Sequence, residues 1–127
     1  MNTSNPCRLS IMGTDFLITK NDVLKDLRRN CIVQYDETIG LEHHMIETIL
    51  LQKHLSPISS FTRPVIWNLD ENLMIKLKPD FIIFADSFCK QFEIIGKDKL
   101  KVMNPGNFGK NGVYGVVYPE QKIIQLY

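Results

Sequence analysis

Five consecutive apolar residues, Phe81-Ile82-Ile83-Phe84-Ala85, stand between Pro79-Asp80 and Asp86-Ser87. A strand with one wet face alternates polar and apolar residues; a short unbroken apolar run is what a strand covered on both faces needs. Phe81 to Ala85 is therefore the predicted central strand, and the rest of the chain must supply its cover.

The flanking pattern supplies candidates. Arg8-Leu9-Ser10-Ile11-Met12 and Phe16-Leu17-Ile18-Thr19 predict a hairpin, turning at Gly13-Thr14 or Thr14-Asp15. Over residues 21–30 a helix is predicted: Asn21 can cap it, Asp22 suits its first turn, Val23, Leu24, Leu27 and Cys31 recur at helical spacing, and Arg28 and Arg29 suit its C-terminal dipole. Leu41, Met45, Ile46, Ile49 and Leu50 form the stripe of a second helix that should end near His54. Pro57 to Pro64 reads as a loop, with candidate strands at Val65 to Leu69 and at Leu73 to Leu77. Further strands are expected around Phe92 to Ile95, Leu100 to Met103 and Val113 to Tyr118. The final Lys122 to Tyr127 should pair back across Pro119-Glu120-Gln121. The sum is a strand-rich α/β chain with two helices in its first half, of a length that suits one domain, or part of one, over residues 1–127.

Composition narrows the function. Fifteen basic residues against 14 acidic ones, spread along the chain, do not support binding to nucleic acid or membrane through bulk charge. The start Met1-Asn2-Thr3-Ser4-Asn5 is polar, with no export signal, and no apolar run approaches the ~18 residues of a membrane span. Cys7, Cys31 and Cys89 are odd in number and widely spaced, so reduced thiols are expected rather than a zinc site.

Six motifs occur in one order: Asn5-Pro6-Cys7, Arg29-Asn30-Cys31, Gln52-Lys53-His54-Leu55-Ser56-Pro57, Pro64-Val65-Ile66-Trp67, Pro79-Asp80-Phe81-Ile82-Ile83-Phe84-Ala85-Asp86 and Met103-Asn104-Pro105-Gly106-Asn107-Phe108. As a set they resemble the B-subunit family of replicative DNA polymerases. The runs Pro64-Val65-Ile66-Trp67 and Ala85-Asp86-Ser87-Phe88 are most similar to the epsilon members. The resemblance implies an α/β fold, the C-terminal part of a calcineurin-like phosphoesterase domain, which is a β-sandwich with flanking helices. It implies a non-catalytic accessory subunit acting in the nucleus during DNA replication. Its partners would be the cysteine-rich C-terminal domain of the catalytic polymerase subunit and other holoenzyme subunits, with DNA met only through the complex and no membrane.

In active members of that wider fold, the strand matching Phe81 to Phe84 leads into a Gly-His-x-His loop that helps to hold two metal ions, which polarise a phosphate and generate hydroxide. Here the matching residues are Ala85, Asp86, Ser87 and Phe88, so a carboxylate and an aromatic ring replace the imidazoles. No catalytic residue, no metal and no cofactor is expected. As plain structure, Asp86 and Ser87 begin a turn after a buried strand. The competing function is a divalent-metal phosphoesterase or nuclease completed by an upstream half. A small domain that only binds another protein is the third reading.

The remaining candidates are weighed the same way. His43 and His44 project about 100° apart on a helix and do not share one ion easily. His54 and Pro57 lie in a His-Leu-x-Pro turn, where a helix-ending hydrogen bond is the plain explanation for the histidine. No Gly-x-Ser-x-Gly elbow accompanies the serines, and Cys89 has no basic neighbour arranged by motif. Asn104, Pro105 and Gly106 predict a tight turn between core strands, not a phosphate loop. Trp67, Phe61, Phe88, Phe92, Phe108, Tyr114 and Tyr118 are expected mainly in the core, with a protein interface as the alternative.

Overall fold

The computed structural model describes residues 4–34, 36–96 and 99–127. Met1 to Thr3, in the polar start noted above, lie outside them. The chain packs as two compact units, one formed by residues 1–22 and 79–127, the other by residues 23–78.

The first unit is built on a five-stranded mixed sheet. Strand β1 (Cys7–Ile11) pairs antiparallel with β2 (Thr14–Thr19). Next comes β3 (Phe81–Phe84), parallel to β2, with Phe16 opposite Phe81 and Thr19 opposite Phe84. Then β5 (Lys101–Asn104) runs parallel to β3, and β4 (Phe92–Ile95) pairs antiparallel with β5 at the edge. The spatial order β1-β2-β3-β5-β4 makes Phe81 to Phe84 the middle strand, as the apolar run predicts. Phe81, Ile82 and Phe84 are fully buried, so both faces of the strand are covered.

The hairpin is as expected, but its turn falls earlier. Ile11 pairs with Thr14, leaving Met12 and Gly13 as a two-residue loop, both at positive φ (52° and 72°). Two such residues match the right-handed twist of the flanking strands. A short helix α4 (Phe108–Asn111) follows β5. The hairpin of β6 (Gly115–Tyr118) and β7 (Ile123–Leu126) then closes the chain, pairing across Pro119 as anticipated. Ile124, Val117 and Leu126 from this hairpin pack with Phe16, Phe81 and Met103 on one face of the sheet. The rings of Phe16 and Phe81, opposite one another in the register, stack with centroids 5.0 Å apart.

The second unit is helical. Helix α2 (Leu41–Gln52) agrees with the sequence pattern, and Met45, Ile46 and Ile49 of its predicted stripe are buried; helix α1 (Val23–Asn30) forms where expected but begins two residues late, so Asp22 precedes it and Asp26 is the acidic residue of its first turn. Lys53 in the left-handed conformation ends α2, and the N–H of His54 reaches back to the Ile49 carbonyl at 3.3 Å. The two strands expected at Val65 to Leu69 and Leu73 to Leu77 do not form. In their place stands α3 (Trp67–Leu73), and Met74 makes only an isolated bridge with His54. β-branched and aromatic residues suggested a strand, yet Val65 and Ile66 precede the helix, with Ile66 extended at its N-cap. Asp70 in the first turn favours the helix through its dipole.

Candidate functional site

Because β2, β3 and β5 run parallel in register, the segments that follow them emerge along one edge of the sheet. The carboxyl ends of parallel strands are where open α/β sheets usually take ligands. Here that edge is closed by side-chain amides and carboxylates bonding to the main chain.

Asn104, the last residue of β5, is fully buried. Its Oδ1 accepts the N–H of Asp86 at 3.1 Å and that of Gly106 at 3.4 Å. Its Nδ2 donates to the carbonyls of Asp86 and Lys90, both at 3.2 Å. Main-chain pairing of β3 with β5 extends to Ile83 and Met103, and the Asn104 side chain carries it one step further. The fully buried Asp86 accepts through Oδ1 from the N–H groups of Phe88, at 2.9 Å, and Cys89, at 3.1 Å. Such bonds let a short carboxylate stand in for a turn of backbone. Ser87 donates both its N–H and its hydroxyl to Asp22 Oδ1, at 2.9 and 3.1 Å.

The same device recurs one strand away. Lys20, just past β2, donates its N–H to Asn5 Oδ1 and accepts from Asn5 Nδ2, both at 2.9 Å. Sequence reasoning singles out neither Asn5 nor Asp22 as a site residue. The hairpin register is the available signal for Asn5: Cys7 faces Ile18, so two residues earlier Asn5 faces Lys20. Asp22 carries no such signal, because its partner Ser87 is distant in sequence.

In this arrangement the side chains of Asp86 and Asn104 hold loops through their main-chain groups. Phe88 has no lone pair, and Asp86 Oδ1 is occupied by two N–H groups. Among the described residues no cluster of three or more His, Cys, Asp or Glu side chains could hold a metal ion. Gly106 sits at φ 76°, in the left-handed region that favours glycine. It joins β5 to α4 through Asn107. Cys7, Cys31 and Cys89 form no disulfide with one another.

Ala85 to Phe88 and Asn104 to Gly106 are thus brought together in the first unit. His54, Pro57 and Trp67 belong to the second. His54 Nδ1 accepts the N–H of Ser56 at 3.0 Å and its Nε2 lies 3.3 Å from Asp70 Oδ1. The side-chain bond therefore shapes the turn after the helix, while the helix end is closed by backbone. Pro57 is half-buried.

The expected core placement of the aromatic residues is overturned. Phe61 is 98% exposed and Trp67 86%; Phe88, Phe108, Tyr114 and Tyr118 are exposed too, and only Phe92 is half-buried. The reason for Trp67 is local: it opens a helix that buries none of its residues, not a buried strand. Tyr114 stacks instead on Tyr127, ring centroids 5.8 Å apart, at the outer end of the β6–β7 hairpin.

Over residues 1–93 the sequence matches the family of B subunits of DNA polymerases alpha and epsilon. It is similar to DNA polymerase epsilon subunit 2 of Mus musculus, with 32% identity over 97% of this chain and 23% of the relative. The subunit of the same name from Homo sapiens is 30% identical over the same shares. The B subunit of DNA polymerase epsilon from Arabidopsis thaliana is 29% identical over 98% of this chain and 24% of the relative. The chain therefore spans about a quarter of the length of these relatives.

Proposed function

The chain belongs to the family of DNA polymerase alpha and epsilon B subunits, and on that premise we propose that it is a non-catalytic accessory element of a polymerase epsilon assembly in DNA replication. Its mixed sheet corresponds, in this reading, to the C-terminal part of a calcineurin-like phosphoesterase domain that has lost its chemistry. Residues 1–127 are then one portion of that domain.

One observation carries the proposal. At the end of the central strand, where an active enzyme would present imidazoles to metal ions, Asp86 is buried and bound to the amides of its own loop, and Asn104 fastens that loop to β5. A ligand pair has become a structural lock. Near-balanced charge supports docking to protein rather than directly to DNA. Exposed Trp67, Phe61 and Phe88 are the residue types that anchor protein interfaces.

The partner proposed is the cysteine-rich C-terminal domain of the catalytic polymerase subunit, with other holoenzyme subunits, in the nucleus. The test is co-expression with a polymerase epsilon catalytic subunit, with and without that domain, followed by size-exclusion chromatography. Co-elution that needs the cysteine-rich domain supports the reading. Failure to co-elute, together with metal-dependent phosphoester hydrolysis by the chain, overturns it.

A further inference from the structure

We propose that the outer edge of β4 is a docking strip for an extended acidic segment of another protein, which joins the sheet there as a further strand. This goes beyond the accessory reading, since it names the mode of contact and holds whichever protein supplies the segment.

The ladder fixes which main-chain groups are on offer. β4 stands last in the sheet order and pairs with β5 on one side. In an antiparallel pair, residues facing one another alternate between those that exchange hydrogen bonds and those that do not. Gly96 donates its N–H to the Leu100 carbonyl at 2.7 Å, and these two residues continue the register in which Ile95 faces Lys101. Counting back in twos, Ile94 and Phe92 are the residues whose main chain turns to β5. Lys101 agrees from the other strand, because its N–H points away from β4, to the Asp80 carbonyl at 3.0 Å. The N–H and C=O groups of Glu93 and Ile95 therefore face outward, and among the described residues no hydrogen bond satisfies them.

Two donors and two acceptors, repeating every second residue or roughly 7 Å, are complementary to the main chain of another strand. Open edges of this kind are commonly guarded by lysine, proline or a bulge. β4 reads Phe-Glu-Ile-Ile in unbroken register, so its one guard is Glu93. Ile95 projects to the same face of the sheet as Glu93 and is 63% exposed, an apolar contact for the incoming strand. The lysines give the partner its sign. Residues 90–101 hold Lys90, Lys97, Lys99 and Lys101 against Glu93 and Asp98, although the whole chain is nearly neutral. Lys90 and Lys99 are exposed, one before β4 and the other in the return to β5, so a cation stands at each end of the strip. A strand bearing carboxylates meets opposite charge there, and a basic strand is repelled.

The experiment titrates the isotope-labelled 127-residue chain with capped seven-residue peptides that alternate valine with glutamate, or valine with lysine. The glutamate peptide should slow amide exchange at Glu93 and Ile95 by roughly fivefold or more, while the Ile94 amide, already paired to β5, stays as it was. The lysine peptide should bind at least about tenfold more weakly, and added salt should narrow the gap. Ile95→Pro removes an outward N–H without touching the ladder to β5, so it should abolish binding and leave Ile82 protected. If that variant does not fold, a glutamate peptide N-methylated at alternate residues decides in its place, and it should not bind. Failure of the glutamate peptide to bind, equal binding of both peptides, or protection that maps away from Glu93 and Ile95 overturns the proposal. Protection of those two amides that grows with protein concentration in the absence of peptide assigns the edge to a second copy of the chain, and overturns it too.

Discussion

Asn104 reads both main-chain groups of Asp86, accepting its N–H at 3.1 Å and donating to its carbonyl at 3.2 Å, as a neighbouring strand would. A side chain thus extends the parallel ladder past the point where β5 stops, and it does so from a fully buried position. Asn104→Asp would keep the acceptor, lose the donor, and aim a buried carboxylate at two carbonyl oxygens. A loss of about 3 kcal/mol or more is expected, since a buried group is left unpaired and charged. Denaturant titration measures it; a change within ~0.5 kcal/mol, the size typical of an indifferent site, removes the lock.

Gly106 lies at φ 76°, and a Cβ built there would meet Gln91 N at 3.5 Å and Cys89 O at 3.6 Å, ordinary contact distances. The cost of substitution should therefore come from backbone conformation, not from crowding. Gly106→Ala is expected to cost about 1–2 kcal/mol, and Gly106→Val more because of its β-branch. Gly106→Asn should cost less than either, since asparagine tolerates this region. Equal losses for Asn and Ala would refute the conformational account.

The β1–β2 turn offers the opposite experiment. Met12 occupies a positive φ of 52° and is 73% exposed, so it holds an unfavourable conformation without packing in return. Met12→Asn would create the Asn-Gly pair preferred in this kind of turn and should stabilise by about 0.5–1 kcal/mol. A rise in Tm tests it, and a lower Tm would show that the thioether makes a contact of value.

These outcomes bear on what the residues disclosed in advance. The middle strand was legible because Phe81 to Phe84 must be covered on both faces, and α2 because its buried stripe imposes a 3.6-residue period. Helix α3 buries none of its residues, so it left no periodic trace, and Val65-Ile66-Trp67 imitated a strand. The substituted loop was visible only through family resemblance. Its meaning was not, because the partners Asp86–Asn104 and Ser87–Asp22 meet by sheet topology at separations of 18 and 65 residues.

At the C-terminal end of α3, Lys76 donates a hydrogen bond to Glu71 and also attracts it electrostatically, holding its carboxyl below the ordinary value of 4.5. A carboxyl lowered on folding stabilises above its unfolded value, and that contribution is lost as pH falls through the folded value. Lys76→Ala should move the Glu71 titration up toward 4.5, read by carboxyl carbon NMR. Because both side chains are solvent-exposed, the shift should shrink in high salt. No movement on removing the lysine would assign the lowering to another cause.

Asp86 separates the accessory reading from the nuclease reading, since the two assign different work to the same carboxylate. If Asp86 holds a hard cation such as manganese, it does so through charge, and Asp86→Asn should abolish metal-dependent hydrolysis while leaving the fold nearly intact. If Asp86 caps its own loop, the carboxamide oxygen of asparagine can still accept from the Phe88 and Cys89 amides, so Asn should be tolerated. Asp86→Ala removes that acceptor and strands two N–H groups, an expected loss of about 1–3 kcal/mol. The measurements are thermal melts of both variants and manganese-dependent cleavage of a generic phosphodiester and of single-stranded DNA. We expect no turnover above background in the wild type and a stability order of wild type, then Asn, then Ala. Turnover that is present in the wild type and absent in Asp86→Asn, with matching melts, would make Asp86 a ligand and the protein an enzyme.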